Sequence, residues 1–345
     1  MSTPRFSVIV PLYKGAPFIG DAIRSVLDQT YTNLELIVVN DASPDHSADV
    51  VRQFHDPRLT LIEHPTNRGS DVSRQTGLQH SSGDVIAFLD QDDYIHPEKL
   101  GAHAEVLAHN PNVGFTYNAR FELDYSAPTV RDIWRPPLTI TLADLVLGFP
   151  IAPSDAVIRR DWVQKMDLAN RTLAWTGGEI LFFGGAYLNG CEFRAVNRAL
   201  NYRRHHSGRI IRDLAGGCAA EIAAQDTIFE DPRCPPDVLA LRDVAHANML
   251  QLWGYRALVQ EETALGQAFL REAVRKNPSL LGGTPCPLTS FLLVNAIDDE
   301  HIDHQQRLKL ISDQLPSDMP QLPAQLQDAV GHGYVLKGAR AVMWE

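Results

Sequence analysis

Residues 82–93, Ser-Gly-Asp-Val-Ile-Ala-Phe-Leu-Asp-Gln-Asp-Asp, hold the pattern from which the fold is read. A Ser-Ser-Gly turn leads into the apolar run 85–89, and the run passes without a break into three carboxylates, Asp90, Asp92 and Asp93. A run this short and apolar at every position is what a strand covered on both faces of a parallel sheet requires. Acids at its carboxyl end then lie at the sheet edge, where α/β proteins bind their ligands. Three carboxylates within a few ångströms cannot all stay ionised unless a cation offsets their repulsion or water solvates them. Hard oxygen donors of this kind suit magnesium or manganese, which in turn carry a diphosphate in their remaining positions. The plain alternative is an Asp-rich turn before a helix that begins near Pro97, and these residues alone do not separate the two.

Working outward, residues 6–12 are a second, almost continuous apolar run. Pro17 opens a segment with Ile19, Ile23, Val26 and Leu27 at helical spacing, which closes at Gln29-Thr30-Tyr31 ahead of the run 34–39. A turn rich in Asp, Ser and Pro (41–45), a short helix (48–54), a third strand (59–62) and a third helix (70–80) follow. Alternation of this kind predicts an α/β fold with a mostly parallel, Rossmann-like sheet and helices on both faces. The loops at its carboxyl edge, 11–15, 40–45 and 90–94, are therefore the candidate binding loops. Residues 110–201 read as irregular, with strands expected at 156–159 and 193–196 to complete the sheet and supply a second wall. Beyond Leu214 the strand patterns give way to helical ones, such as Leu265, Ala268, Phe269 and Ala273, stopped by Asn277-Pro278. A helix pair between 236 and 276 has the length of one tetratricopeptide-like unit.

Composition narrows the class. The 345 residues are 44% hydrophobic and 21% charged, far from disordered or fibrous sequences. With 31 basic and 42 acidic residues the net charge is −11, which repels phosphate backbones and anionic lipid, so no nucleic-acid partner is expected. Cys191, Cys218, Cys234 and Cys286 form no Cys-x-x-Cys pair, so neither a zinc site nor a disulfide framework is expected. The opening residues lack a basic stretch followed by an apolar one, and no apolar run approaches the roughly 20 residues that span a bilayer. The expectation is a cytoplasmic chain with reduced thiols.

Five segments together carry a resemblance: residues 6–13 (Phe-Ser-Val-Ile-Val-Pro-Leu-Tyr), 25–31 (Ser-Val-Leu-Asp-Gln-Thr-Tyr), 34–43 (Leu-Glu-Leu-Ile-Val-Val-Asn-Asp-Ala-Ser), 67–69 (Asn-Arg-Gly) and 82–93. In order and spacing they resemble the family 2 inverting glycosyltransferases over roughly residues 5–210. The resemblance implies a glycosyltransferase-A fold, a nucleotide-sugar donor, a divalent metal (Mn2+ or Mg2+) and inversion at the anomeric carbon. It implies that Pro11 and Tyr13 line the nucleoside pocket and that Asp41 accepts a hydrogen bond from the pyrimidine or ribose. An acceptor for a uracil or thymine N–H favours UDP-sugars, with dTDP-sugars second. Arg68 and Arg74 would face the diphosphate, Asp92 would be the principal metal ligand, Asp90 would lie near the ribose or a metal-bound water, and Asp93 would support them. The implied division is a catalytic domain, 1–214, with a nucleotide-binding half (about 1–110) and an acceptor half (about 111–214), followed by a helical C-terminal domain, 215–345. The acceptor would be a saccharide or lipid-linked saccharide, with at most peripheral membrane contact.

Against the family pattern, the Glu-Asp pair that provides the base falls on Gly178-Glu179, so Glu179 takes the place of the Asp. An Arg that often follows six residues later is Gly185 here, and Gln75 stands where an Asn is usual. The stretch 182–185, Phe-Phe-Gly-Gly, leads one to expect a shallower, more hydrophobic acceptor wall. In the segment 202–207, Tyr-Arg-Arg-His-His-Ser, His205 matches a position near the metal or diphosphate. The cluster 298–304, Asp-Asp-Glu-His-Ile-Asp-His, reads as the acidic start of an exposed helix and is assigned no chemistry. Two alternatives stand beside this reading. A haloacid-dehalogenase-like phosphatase also places Asp-x-Asp after a strand, although there the motif closes the first strand. A degenerate transferase that binds without turnover is motivated by Gly178 and Gly185.

Overall fold

The computed structural model describes residues 3–124, 129–148, 151–166, 178–205, 213–282, 286–288, 291–292, 304–315 and 318–319. It divides into two compact units, residues 1–204 and 205–345.

In the first unit, β1 (Phe6–Leu12), β2 (Leu34–Asn40), β3 (Leu59–Glu63) and β4 (Val85–Phe88) alternate with α1 (Ile19–Leu27), α2 (Ser47–Arg52) and α3 (Ser70–His80). The sheet runs β3-β2-β1-β4-β8-β6-β9-β5, with β7 beside β6. Its added members are β5 (Tyr94–Ile95), β6 (Val113–Asp124), β7 (Val130–Trp134), β8 (Ala156–Arg159) and β9 (Glu192–His205). β1 pairs in parallel with both β2 and β4, and β2 with β3. From β8 onward the sheet turns antiparallel, beginning where Ile86 meets Ile158. All seven residues of β1 are buried, so this strand is the centre of the parallel half.

Period-two alternation divides the core. Phe6, Val8, Val10 and Leu12 face α1, α2 and α4 (Lys99–His109), where Ile23, Val51 and Leu100 meet them. Ile9, Ile86 and Phe88 face the other way, against Leu78 of α3, Leu145 of α5 (Leu142–Gly148), Val163 of α6 (Arg160–Lys165) and Phe182 and Phe183 of α7 (Gly178–Leu188). α3 lies so close to β1 that a Cβ on Gly77 would fall 2.3 Å from Ile9 Cγ2.

The stretch expected to be irregular instead holds the twelve-residue β6 and its partner β7, and the strand expected at 193–196 extends over fourteen residues as β9. The signal for β6 was present: Val113, Phe115, Tyr117, Ala119, Phe121 and Leu123 alternate with polar residues. Its polar face is buried as well, with Thr116 and Asn118 under a hydrogen-bonded cluster, and this disguises the alternation as loop-like composition.

The second unit contains α8 (Leu214–Phe229), α9 (Pro236–Leu239), α10 (Arg242–Val259), α11 (Thr263–Lys276) and α12 (His304–Gln314). The expected helix pair is α10 and α11, which approach through glycines: a Cβ on Gly266 would lie 2.7 Å from Leu258, and one on Gly254 2.8 Å from Leu270. The acidic cluster at 298–303 lies outside the described residues. Among the described residues no helix is long and apolar enough to cross a membrane.

Candidate active site

The carboxyl ends of β1, β2 and β4 bring the three candidate loops together. After β4 the chain makes a tight turn in which the Asp93 N–H donates to the Asp90 carbonyl at 3.1 Å. Asp90 is held from two sides: its N–H donates to Ser154 Oγ (3.2 Å), and its Oδ1 accepts from Arg74 Nη2 of α3 (2.5 Å). Asp92 and Asp93 are largely buried, at 9% and 4% exposure. Asp93 Oδ1 accepts the N–H of Arg204 (3.0 Å), and Arg204 Nε donates to the Asp92 carbonyl (2.6 Å). The same guanidinium reaches Asp21 of α1 (2.9 Å) and lies over the rings of Tyr94 and Phe18. A bidentate, planar cation of this type suits a site that must be tied in several directions at once. Arg204 was not singled out from sequence; its position in the Tyr-Arg-Arg-His segment was the available signal. His205, the next residue, closes β9.

Tyr13 opens the loop after β1 and is 36% exposed, with Pro11 buried in the strand just before it. Its backbone is gripped by the amide of Gln91, the residue between Asp90 and Asp92: Tyr13 N donates to Oε1 (2.7 Å) and Nε2 donates to Tyr13 O (2.9 Å). The next residues are tied to the loop after β2, through Lys14 N to Ser43 Oγ (3.2 Å) and Gly15 N to Ser47 Oγ (2.9 Å). Ser47 Oγ in turn donates to Asp45.

Asp41 ends up buried beyond β2, its carboxylate surrounded by donors. His64 Nδ1 lies at 2.7 Å, and the N–H groups of Arg68 and Gly69 donate at 2.9 and 2.7 Å. His64 Nε2 continues the chain to Thr76 of α3 (2.9 Å). Asp41 thus shapes the 64–69 segment and places the backbone of Arg68, whose side chain is exposed. A carboxylate that accepts two backbone N–H bonds is fixed in its orientation.

Behind the acidic turn lies a buried polar cluster. Lys99 Nζ donates to the Ser154 carbonyl and to Asn201 Oδ1 (2.7 Å). Asn118 joins Asn201 to His103, whose other ring nitrogen meets Thr116 Oγ1 (2.6 Å). Burial pulls Lys99 down to about 7, against the opposing charges of Asp155 and Asp93, and pulls His103 down to about 3. Arg120 is ion-paired with Asp155 at 2.6 Å at the edge of this cluster.

Glu179 sits in the first turn of α7, half-buried. The expected hydrophobic acceptor wall is not formed by the phenylalanines beside it. Phe182 and Phe183 are 2% and 0% exposed and pack edge-on against Phe115, with Phe88 against Phe182. Burying two large rings under the sheet is worth far more than exposing them, so they anchor α7 instead. Gly185 has open space where a side chain would stand.

Among the described residues no group of three or more His, Cys, Asp or Glu side chains converges on one point. The turn's own carboxylates are the donors on offer, with phosphate oxygens and water to fill the remaining shell, and hard oxygens in that number fit magnesium or manganese. A parallel βα half with acids beyond the fourth strand, joined to an antiparallel half, defines a glycosyltransferase-A type of protein. Residues 7–166 match the family model "Glycosyl transferase family 2", so this part of the chain is similar to family 2 glycosyltransferase domains. One relative, the Escherichia coli UDP-Glc:alpha-D-GlcNAc-diphosphoundecaprenol beta-1,3-glucosyltransferase WfgD, is 39% identical over 111 residues, 32% of this chain and 44% of that protein. The chain spans less than half the length of this and other curated relatives of similar identity. Among solved structures, S. aureus TarS 1–349 with UDP-GlcNAc superposes with a TM-score of 0.52 at 18% identity, over 98% of this chain and 87% of that one. The mannosyltransferase PcManGT from Pyrobaculum calidifontis, with GDP-Man and Mn2+, gives 0.55 at 19% identity, over 90% and 86%. At these identities the structural likeness speaks for the fold.

Proposed function

We propose that this chain is a metal-dependent inverting glycosyltransferase that takes a sugar from a nucleoside-diphosphate donor, UDP-linked in the first instance, and places it on a hydroxyl of a saccharide or lipid-linked saccharide. The observation that carries the reading is the turn Asp90–Asp93, held rigid at the carboxyl end of β4 by Arg74, Ser154 and Arg204. Asp92, with Asp90 beside it, would hold the divalent cation, which when bound offsets the charge that gathers on the departing diphosphate. Arg68 and Arg74 suit phosphate oxygens, and Asp41 serves the donor by holding the segment that carries Arg68. Tyr13 offers an exposed ring to the nucleoside. Glu179 would take the proton from the attacking acceptor hydroxyl. His205 keeps the place among metal or diphosphate ligands that the family resemblance implies. The acceptor in WfgD's name, a diphosphoundecaprenol-linked sugar, and the UDP- and GDP-linked donors of the similar structures support a role in polysaccharide or glycoconjugate synthesis.

The test is donor binding and turnover. Titration calorimetry with UDP and with GDP in manganese is expected to show binding, and slow hydrolysis of a matching nucleotide sugar to require the metal. Asp92→Asn is expected to abolish hydrolysis while leaving the thermal midpoint near that of the wild type. Nucleotide binding without any metal-dependent hydrolysis or transfer would favour the second reading, a binding protein of the same fold, which Gly178 and Gly185 motivate.

A further inference from the structure

Gln91 has an unusual position. It stands between the two carboxylates assigned to the cation, yet its side chain points back to the loop after β1. There it makes both hydrogen bonds that the Tyr13 backbone can offer, through Oε1 and Nε2. The loop is moulded around it: Lys14 adopts a left-handed φ of 53°, and a Cβ on Gly15 would come within 2.5 Å of Gln91 Oε1. A non-glycine residue in that region stays there only when its surroundings hold it. The restraints here are the Gln91 amide and the Ser43 hydroxyl that accepts the Lys14 N–H. At the other end, Gln91 rides on a turn closed by the Asp93 N–H to Asp90 carbonyl bond, so whatever fixes the turn also fixes the amide.

Resting on the donor reading above, we propose that Gln91 is a positioning residue that couples the two ends of the donor site. A cation held at the Asp90–Asp93 turn and a nucleoside held at Tyr13 each favour the loop shape that the other needs. Contiguous hydrogen bonds across one side chain provide the physical link, and such coupling is reciprocal. The link is specific to an amide. A hydrophobic side chain would leave the Tyr13 N–H and carbonyl to water, and a carboxylate could not donate to that carbonyl.

The experiment titrates the full chain with UDP and, in parallel, GDP, each in manganese and in EDTA, for the wild type, Gln91→Met and Gln91→Ala. In the wild type, manganese is expected to tighten the nucleotide that binds. In both variants affinity in manganese is expected to fall about tenfold, the scale of one or two hydrogen bonds. The factor by which manganese tightens binding should shrink at least about threefold, since the coupling and not only the affinity is lost. Thermal midpoints should stay near the wild-type value, because the Gln91 side chain is only half-buried. An unchanged manganese factor in the variants, a wild type whose affinity ignores manganese, or variants that lose the fold would each overturn the inference. A wild type that binds neither nucleotide would instead overturn the donor reading, and this inference with it.

Discussion

Lys99 carries an ammonium at 1% exposure directly behind the acidic turn, where it donates to the Ser154 carbonyl and Asn201. Burial disfavours its charged form and lowers it to about 7. A lysine in the unfolded chain keeps its proton to about 10.4. Between pH 7 and 10, therefore, the unfolded state holds a proton that the folded state has released, and stability rises with pH across that window. In denaturant unfolding at pH 7, 8.5 and 10, the stability of the wild type relative to Lys99→Met is expected to increase with pH, by at most about 1.4 kcal/mol per unit. A difference that stays level across the series would mean that Lys99 remains charged in the fold. His103 behaves alike on the acid side: with its ring held neutral to about 3, the stability it lends is full above its unfolded value and is lost as pH falls toward 3. These residues were invisible to a reading based on motif and periodicity. Lys99 looks like an ordinary surface lysine opening a helix, and only the neighbours brought by β8 and β9 reveal that it is enclosed.

Helix α7 shows how an element can carry chemistry and packing on different residues. Phe182 and Phe183 lock it to Phe115 and Phe88, while Glu179 occupies the first turn, where a carboxylate is favoured by the helix dipole. The anchor makes the position of Glu179 insensitive to a change of its own terminal atoms. Glu179→Gln should thus leave nucleotide affinity and thermal midpoint unchanged and lower transfer to an acceptor by roughly 100-fold or more, the scale of a lost general base. Transfer at near-wild-type rate in that variant would take Glu179 out of the mechanism. Sequence had presented the Phe-Phe-Gly-Gly stretch as surface because it stands beside a candidate base. Residues three and four positions on from Glu179 share its side of the helix, and the sheet covers that side at Phe182 and Phe183 while Glu179, in the first turn, stays half-buried. Element α3 was more legible: its bounds, residues 70–80, match the sequence expectation, and Gly77 marks the close approach to Ile9.

At the scale of the molecule, the net charge of −11 sets what the chain will not seek unaided. With vesicles containing about a third anionic lipid at physiological salt, it is expected to remain in the supernatant on sedimentation, since like charge repels within a Debye length. Binding that strengthens as salt is lowered would contradict this. Attachment through an apolar face or a lipid-linked acceptor would be insensitive to salt. The sequence by itself determined the parallel half, because its strands are mostly apolar runs bounded by turns, so local pattern and buried environment agree. It pointed to the class of chemistry only through the five motif segments taken together, because three acids after a strand also fit a turn that leads into a helix. Only the tertiary structure decided how the site is tied together: Gln91 on the Tyr13 backbone, Arg204 on the acidic turn, His64 and the Arg68 and Gly69 amides on Asp41. Those bonds join residues 23 to 112 positions apart, and a hydrogen bond to a distant backbone atom leaves no periodicity, composition or spacing in the chain that makes it.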